Sequence, residues 1–259
     1  MSPMGWKRIR SRTLTGLPEK HANEMIYCDI HSHQPPVHSE DITVISIDLH
    51  TPSACSGRMR HDSAHHRCES GLSPQNSSTV ENAHFSVGIH PWHPDIHLME
   101  TVRKYARMPS VVAIGETGLD KITAKDKNSF ELQQELFLMH VRLAEETGKP
   151  VIIHCVKAWD ELLHVRKSIK PALPWIIHGF RGHEILAKQL LDAGLYLSFG
   201  TNYNPQALKA AWEKRRLLAE TDDKNIDIRN IYKLITKDLN ISEEKLSETI
   251  EAFFRSVIR

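Results

Sequence analysis

No apolar run in this chain approaches the roughly 18 residues that a membrane-spanning helix needs, which excludes a helical integral membrane protein. Charge of one sign is also missing: 33 Lys and Arg stand against 32 Asp and Glu, a formal net charge of +1. That balance excludes a histone-like protein that neutralises phosphate backbones over its whole surface, so any contact with nucleic acid must be local. Cysteine is scarce, and Cys28, Cys55, Cys68 and Cys155 form no CxxC pair, which suits a reducing, cytoplasmic setting. The first 22 residues are basic but contain no apolar core segment, so they do not read as a secretory signal.

What is present is enough apolar material for one core, with 40% hydrophobic and 25% charged residues. A length of 259 residues fits one α/β barrel. Residues 1–24 have no sustained apolar period and read as a flexible N-terminal extension, with Met25 a candidate start of translation directly before a strand-like run. The stretch 53–82, rich in Ser, His and Arg, reads as an irregular insertion. Its His61, His65 and His66, with Cys55 and Cys68, match no standard zinc-finger spacing and read as a solvated loop.

Short apolar runs at 26–31, 42–49, 84–89, 111–115, 150–154, 174–178, 195–199 and 217–220 are expected strands, several of them apolar throughout, as strands buried on both faces are. Helices are expected over 129–147, stopped by Gly148 and Pro150, over 182–193, along the stripe from Ile228 to Leu239, and from Ser242 onward. Eight strands with mostly helical crossovers point to a single-domain (β/α)8 barrel. About ten residues separate His31 from the second strand, too few for a crossover helix, so the barrel should be distorted. The alternative is an open doubly wound sheet.

Histidine is in excess, with 17 in all and eleven of them between His31 and His97. Four stand at expected strand ends: His31 and His33 after the first, His154 after the fifth, and His178 after the sixth. Glu116 follows the fourth strand and Asp222 the eighth. The carboxyl ends of barrel strands meet on one face, so these six side chains form a ligand set for two divalent cations. HxH alone is weak, a lone strand-end histidine is more often packed than liganded, and Asp222 alone could be a helix cap; the coincidence carries the reading.

The chain resembles the TatD-related hydrolase family of metal-dependent DNases over about residues 25–257, through DIHSH (29–33), VGIHPW (87–92), AIGETGLD (113–120), KPVIIHC (149–155), IHGFRG (177–182) and AETDD (219–223). The resemblance implies a TIM-like barrel with two divalent ions and phosphodiester hydrolysis, often of DNA. It places the ligands on His31, His33, Glu116, His154, His178 and Asp222, with Glu116 shared. Three features depart from the family's pattern: no helix follows HxH, HCFxG has become HGFRG, and Asp223-Lys224-Asn225 replaces the usual continuation after ETD. All three bear on the substrate rather than on the metals.

The chemistry read from this set is attack of metal-activated water on a phosphodiester, most simply at single-stranded ends, with Glu116 and Asp222 as catalytic carboxylates and Asp222 orienting the water or taking its proton. Zinc, manganese or magnesium would serve, the imidazoles favouring a first-row ion. His90 reads as a phosphate or substrate contact or as a packing residue, Arg181 as a phosphate clamp or a solvated loop arginine, and Trp92 as a base-stacking ring or a loop anchor. Asp120 reads as an orienting or turn residue. Two alternatives stay open: a barrel hydrolase of amides or lactones, and a non-catalytic metal-binding protein.

Overall fold

Each expected apolar run becomes a strand. The computed structural model describes residues 25–49 and 83–257; the extension 1–24 and the insertion 53–82 lie outside the described residues. The strands are β1 (Cys28–Ser32), β2 (Ile42–Asp48), β3 (Ala83–Gly88), β4 (Val111–Asp120), β5 (Val151–Val156), β6 (Trp175–Ile177), β7 (Tyr196–Phe199) and β8 (Leu217–Ala219). They pair in parallel in the order of the chain, β1 through β8. A doubly wound sheet would reverse its strand order partway, so this order selects the barrel. The barrel closes through a single parallel bridge, Ser32 with Asp222.

Among the described residues, seven α-helices cover the outside: α1 (Met99–Ala106), α2 (Lys127–Thr147), α3 (Trp159–Ile169), α4 (Glu184–Asp192), α5 (Pro205–Glu213), α6 (Ile228–Leu239) and α7 (Glu243–Val257). The connection from β1 to β2 contains no helix, which is the expected distortion. Long-range polar contacts hold it instead. Arg229 of α6 reaches Glu40 at 2.8 Å and Asp41 at 3.2 Å, and His38 meets Asp227 at 3.0 Å.

Helix α2 begins at a reciprocal cap in which Asp126 accepts from the Ser129 backbone and Ser129 from that of Asp126, and it ends at left-handed Gly148. Of the apolar stripe Leu132, Leu136, Met139 and Leu143 that its period sets out, Leu136 and Leu143 are buried and Leu132 and Met139 only partly so, because the buried face is turned to include Gln133 and His140. Helices α6 and α7 bury Ile228, Ile231, Tyr232 and Ile235, and Leu246, Ile250, Phe253 and Phe254, as their periodicity requires.

Strand β4 departs most from expectation. It continues past Gly115 to Asp120, so Glu116 sits inside the strand, not beyond its end. Its register against β5 shifts between Ile114 and Thr117, and such an irregularity re-aims a side chain. Glycine makes the shift possible. Gly118 (φ +150°) lies so close to β5 that a Cβ there would fall 1.9 Å from the His154 carbonyl oxygen, and Gly115 (φ +142°) presses on Ile152 in the same way.

Candidate metal centre

The barrel mouth gathers side chains from five strands around one carboxylate. Glu116 is only 6% exposed, and its two oxygens face different partners. Oε1 lies 2.7 Å from His178 Nε2, 2.8 Å from His90 Nε2 and 2.9 Å from His154 Nδ1. Oε2 lies 3.2 Å from His31 Nε2 and 3.8 Å from His33 Nε2. Asp222 completes the second set, its Oδ1 3.6 Å from His31 Nε2 and 3.9 Å from His33 Nε2.

Local backbone structure aims each group. Alternation along β1 brings His31 and His33 to one side. Asp222 takes a left-handed conformation (φ +55°) three residues past the end of β8. Its N–H donates to the His31 carbonyl at 2.9 Å and its carbonyl accepts from His33 N–H at 3.0 Å, so its backbone is pinned between the two histidines.

Burial works against ionisation of Glu116, yet the imidazoles of His178 and His90 and hydrogen bonds from His154 and His178 hold its carboxyl well below the usual range. His178 responds in the opposite sense: burial disfavours its charged form, but the facing Glu116 and then Glu220 hold its pKa well above the ordinary value. Asp222 is also lowered, with burial opposing and the charges of His178 and His31 favouring the carboxylate.

Donor atoms lie within 4.8 Å of one another in three overlapping groups: His31, His178 and Asp222; His31, His33 and Glu116; and His90, Glu116 and His154. Together they contain all six expected ligands and add His90. Both ring nitrogens of fully buried His31 lack a hydrogen-bond partner, and a cation would supply one for Nε2, the nitrogen that faces Glu116 and Asp222. The donors are imidazole nitrogens and carboxylate oxygens with no thiolate, which fits first-row divalent ions. Cys155 is buried beside His154 on β5, and burial pushes its thiol up, away from the ligating thiolate.

The other expected residues surround this centre. Trp92 is 42% exposed, and its Nε1 donates to Asp120 Oδ2 at 2.8 Å, so the indole is anchored at one edge. Asp120 Oδ2 also stands 3.3 Å from His154 Nε2, while its Oδ1 accepts from Ile122 and Thr123 N–H groups. Asp120 therefore both closes a turn and backs His154. Arg181 is exposed and lines a small cavity with Gly179, Thr201, Asn202, Asp222 and Lys224.

Three polar residues near the site escape sequence reasoning. Gln133 accepts from Asp120 N–H at 2.8 Å and donates to the Pro91 carbonyl at 2.9 Å. His140 Nε2 accepts from Ile89 N–H at 3.1 Å, one residue before His90. Glu220 is fully buried behind His178. Gln133 and His140 interrupt the buried face of an amphipathic helix, the one pattern in the sequence that could have marked them.

Known proteins resemble this chain in sequence and in fold. The family model described as TatD related DNase matches residues 65–259, a span that contains Glu116, His154, His178 and Asp222. An uncharacterized metal-dependent hydrolase, YcfH of Escherichia coli K12, is 35% identical over 150 residues, covering 55% of this chain and 56% of its own length. The 3'-5' ssDNA/RNA exonuclease TatD of Klebsiella pneumoniae is 31% identical over 150 residues, 53% of this chain and 56% of its own. The chain thus spans about half the length of these curated relatives. The crystal structure of YjjV, a TatD homolog from E. coli K12, superposes with a TM-score of 0.66 over 90% of this chain and 97% of its own, at 16% identity. A TatD family hydrolase from Entamoeba histolytica gives 0.64 over 87% and 95%, at 17% identity. Likeness at that identity bears on the fold alone.

Proposed function

We propose a function from an established premise: the chain belongs to the TatD related DNase family. It is a divalent-metal-dependent phosphodiesterase acting on nucleic acid, with single-stranded ends the favoured substrate. The observation that carries this reading is Glu116, whose two carboxylate oxygens face two separate histidine sets in a buried mouth. The relative from Klebsiella named for ssDNA/RNA exonuclease activity supports the choice of substrate class.

His31, His33 and Asp222 would hold one cation and His154 and His178 the other, with Glu116 between them. Cations held there would supply charge stabilisation at phosphoryl oxygens and a lowered pKa for water, from 15.7 toward about 7. Asp222 orients the attacking water and accepts its proton on a carboxylate kept ionised by the neighbouring imidazoles. Arg181, across the small cavity from Asp222, pairs with a phosphate oxygen of the substrate. The anchored Trp92 ring offers an exposed face for one unstacked base, a contact of about 1–3 kcal/mol. His90, turned onto Glu116 Oε1, stands closer to the cation donors than to open solvent and orders that oxygen.

The test is hydrolysis of a chromogenic phosphodiester, measured beside carboxylic-ester and lactone substrates with added manganese, and cleavage of labelled single- and double-stranded oligonucleotides. Phosphodiester turnover with preference for single strands is expected. Lactone or ester turnover alone would replace this reading with the amide and lactone class. Stable metal binding with no turnover of any substrate would leave a binding protein.

A further inference from the structure

We propose that Glu220 is a positioning residue, whose carboxylate stands behind His178 and keeps the proton of that imidazole on Nδ1, so that Nε2 is presented to a cation. The inference rests on the reading that the barrel mouth holds divalent ions.

Glu220 directly follows β8 and is 0% exposed. Its Oε1 accepts the N–H of Gly179 at 2.5 Å and lies 3.7 Å from His178 Nδ1. That second distance exceeds a direct hydrogen bond, so Glu220 acts on the ring through its charge. Glu220 Oε2 and His178 Nδ1 are both buried without a hydrogen-bond partner. The carboxylate oxygen nearest the unpartnered His178 Nδ1 is Glu220 Oε1, in a setting where a buried polar nitrogen without a partner is costly. The other face of His178 is committed, with Nε2 2.7 Å from Glu116 Oε1. A neutral imidazole has one donor and one acceptor nitrogen. If Nε2 is the ligand, the proton belongs on Nδ1, where Glu220 is the facing acceptor.

The neighbouring histidine repeats the arrangement with its nitrogens exchanged. His154 turns Nδ1 to Glu116 Oε1 at 2.9 Å and Nε2 to Asp120 Oδ2 at 3.3 Å. Both imidazoles that face Glu116 Oε1 from β5 and β6 therefore have a carboxylate behind them. His31, on the Oε2 side, has a buried Nδ1 with no hydrogen-bond partner. The two cation positions are unequal, and Glu220 strengthens the one on the Oε1 side.

The competing role for Glu220 is to anchor the turn at Gly179. Glu220→Gln separates the two, because it keeps an oxygen for the Gly179 N–H and removes the charge behind His178. Zinc and manganese titrations of the full chain, followed calorimetrically, would compare wild type, Glu220→Gln and Glu220→Ala, with melting of each metal-free protein as a check on folding. The expected result is two ions in wild type and a loss of about 10-fold in Glu220→Gln, approaching 100-fold in Glu220→Ala, confined to one of them. Wild-type affinity for both ions in Glu220→Gln overturns the proposal. If either variant fails to fold, 15N NMR of zinc-loaded wild type decides: a proton on His178 Nδ1 supports the proposal, and a proton on Nε2 overturns it. Wild type binding no cation would remove the proposed function as well, whereas two ions bound equally by wild type and Glu220→Gln would remove this inference alone.

Discussion

Asp29 Oδ2 accepts the hydroxyl of Thr221 at 2.6 Å, a contact that joins the first strand to the segment after the eighth across 192 residues. Asp29 Oδ1 accepts from the N–H groups of Thr221 and His31, each at 3.2 Å. One buried carboxylate thus fixes the backbone on both sides of the barrel seam, next to His31 and Asp222. Burial pushes its carboxyl up to about 7, against the hydrogen bonds from Thr221. The contacts that close the barrel at this seam also hold His31 and Asp222 in place.

Thr221→Val keeps the shape of the side chain and removes the donor. It should destabilise the fold by about 1–3 kcal/mol, the penalty for a buried acceptor left short of a partner, and weaken cation binding on the Asp222 side. Urea unfolding and metal titration measure the two effects; stability equal to wild type would deny the seam this role.

Substitution within the donor set should divide into two outcomes. His31→Ala and Glu116→Ala lower metal content and turnover together, with Glu116→Ala affecting both ions. Asp222→Asn leaves much of the metal in place and lowers turnover mainly, because it removes the proton acceptor. Elemental analysis beside steady-state kinetics distinguishes them, and equal activity in all three variants would contradict the assignment.

Arg181→Gln tests the substrate side. It should raise KM for an oligonucleotide several-fold and reduce the salt dependence of KM, with metal content unchanged. A KM equal to wild type would return Arg181 to the status of a solvated loop residue.

His140 carries a pH dependence of stability separate from the metal centre. Its Nδ1 donates to the Leu136 carbonyl at 2.7 Å and its Nε2 accepts from Ile89 N–H, so the ring is neutral in the fold. Burial lowers its pKa to about 4 from an ordinary 6.5. The folded value is depressed, so the neutral ring's contribution is fully present above pH 6.5 and is lost as pH falls from there through 4. At its largest the effect is about 3 kcal/mol. Urea midpoints at pH 7 and pH 5 should differ less in His140→Gln than in wild type; equal differences would show that His140 does not set the acid limb.

The strands were legible because a parallel barrel buries both faces of each strand and leaves apolar runs such as VIIH and WIIH in the sequence. Helices α6 and α7 were legible by periodicity and α2 by its Gly148 stop, whereas α3 buries Leu162 as its one fully covered residue and leaves little stripe to read. The six donors stood out as polar residues closing apolar runs. The extension of β4 to Asp120 did not, because it depends on backbone approaches open only to glycine. Glu220, Gln133 and His140 stayed hidden for a related reason. Their partners are backbone groups and ring nitrogens brought near by folding, and a linear pattern of polar and apolar residues records none of those contacts.

The most direct test of the central claim is the metal stoichiometry of the intact chain, equilibrated with manganese or zinc, freed of excess ion and analysed for metal per protein, with Glu116→Ala measured alongside. Two ions per chain in wild type, and a large loss in the variant, are expected. A wild-type chain that retains less than one ion, or a Glu116→Ala chain that retains as much as wild type, would contradict it.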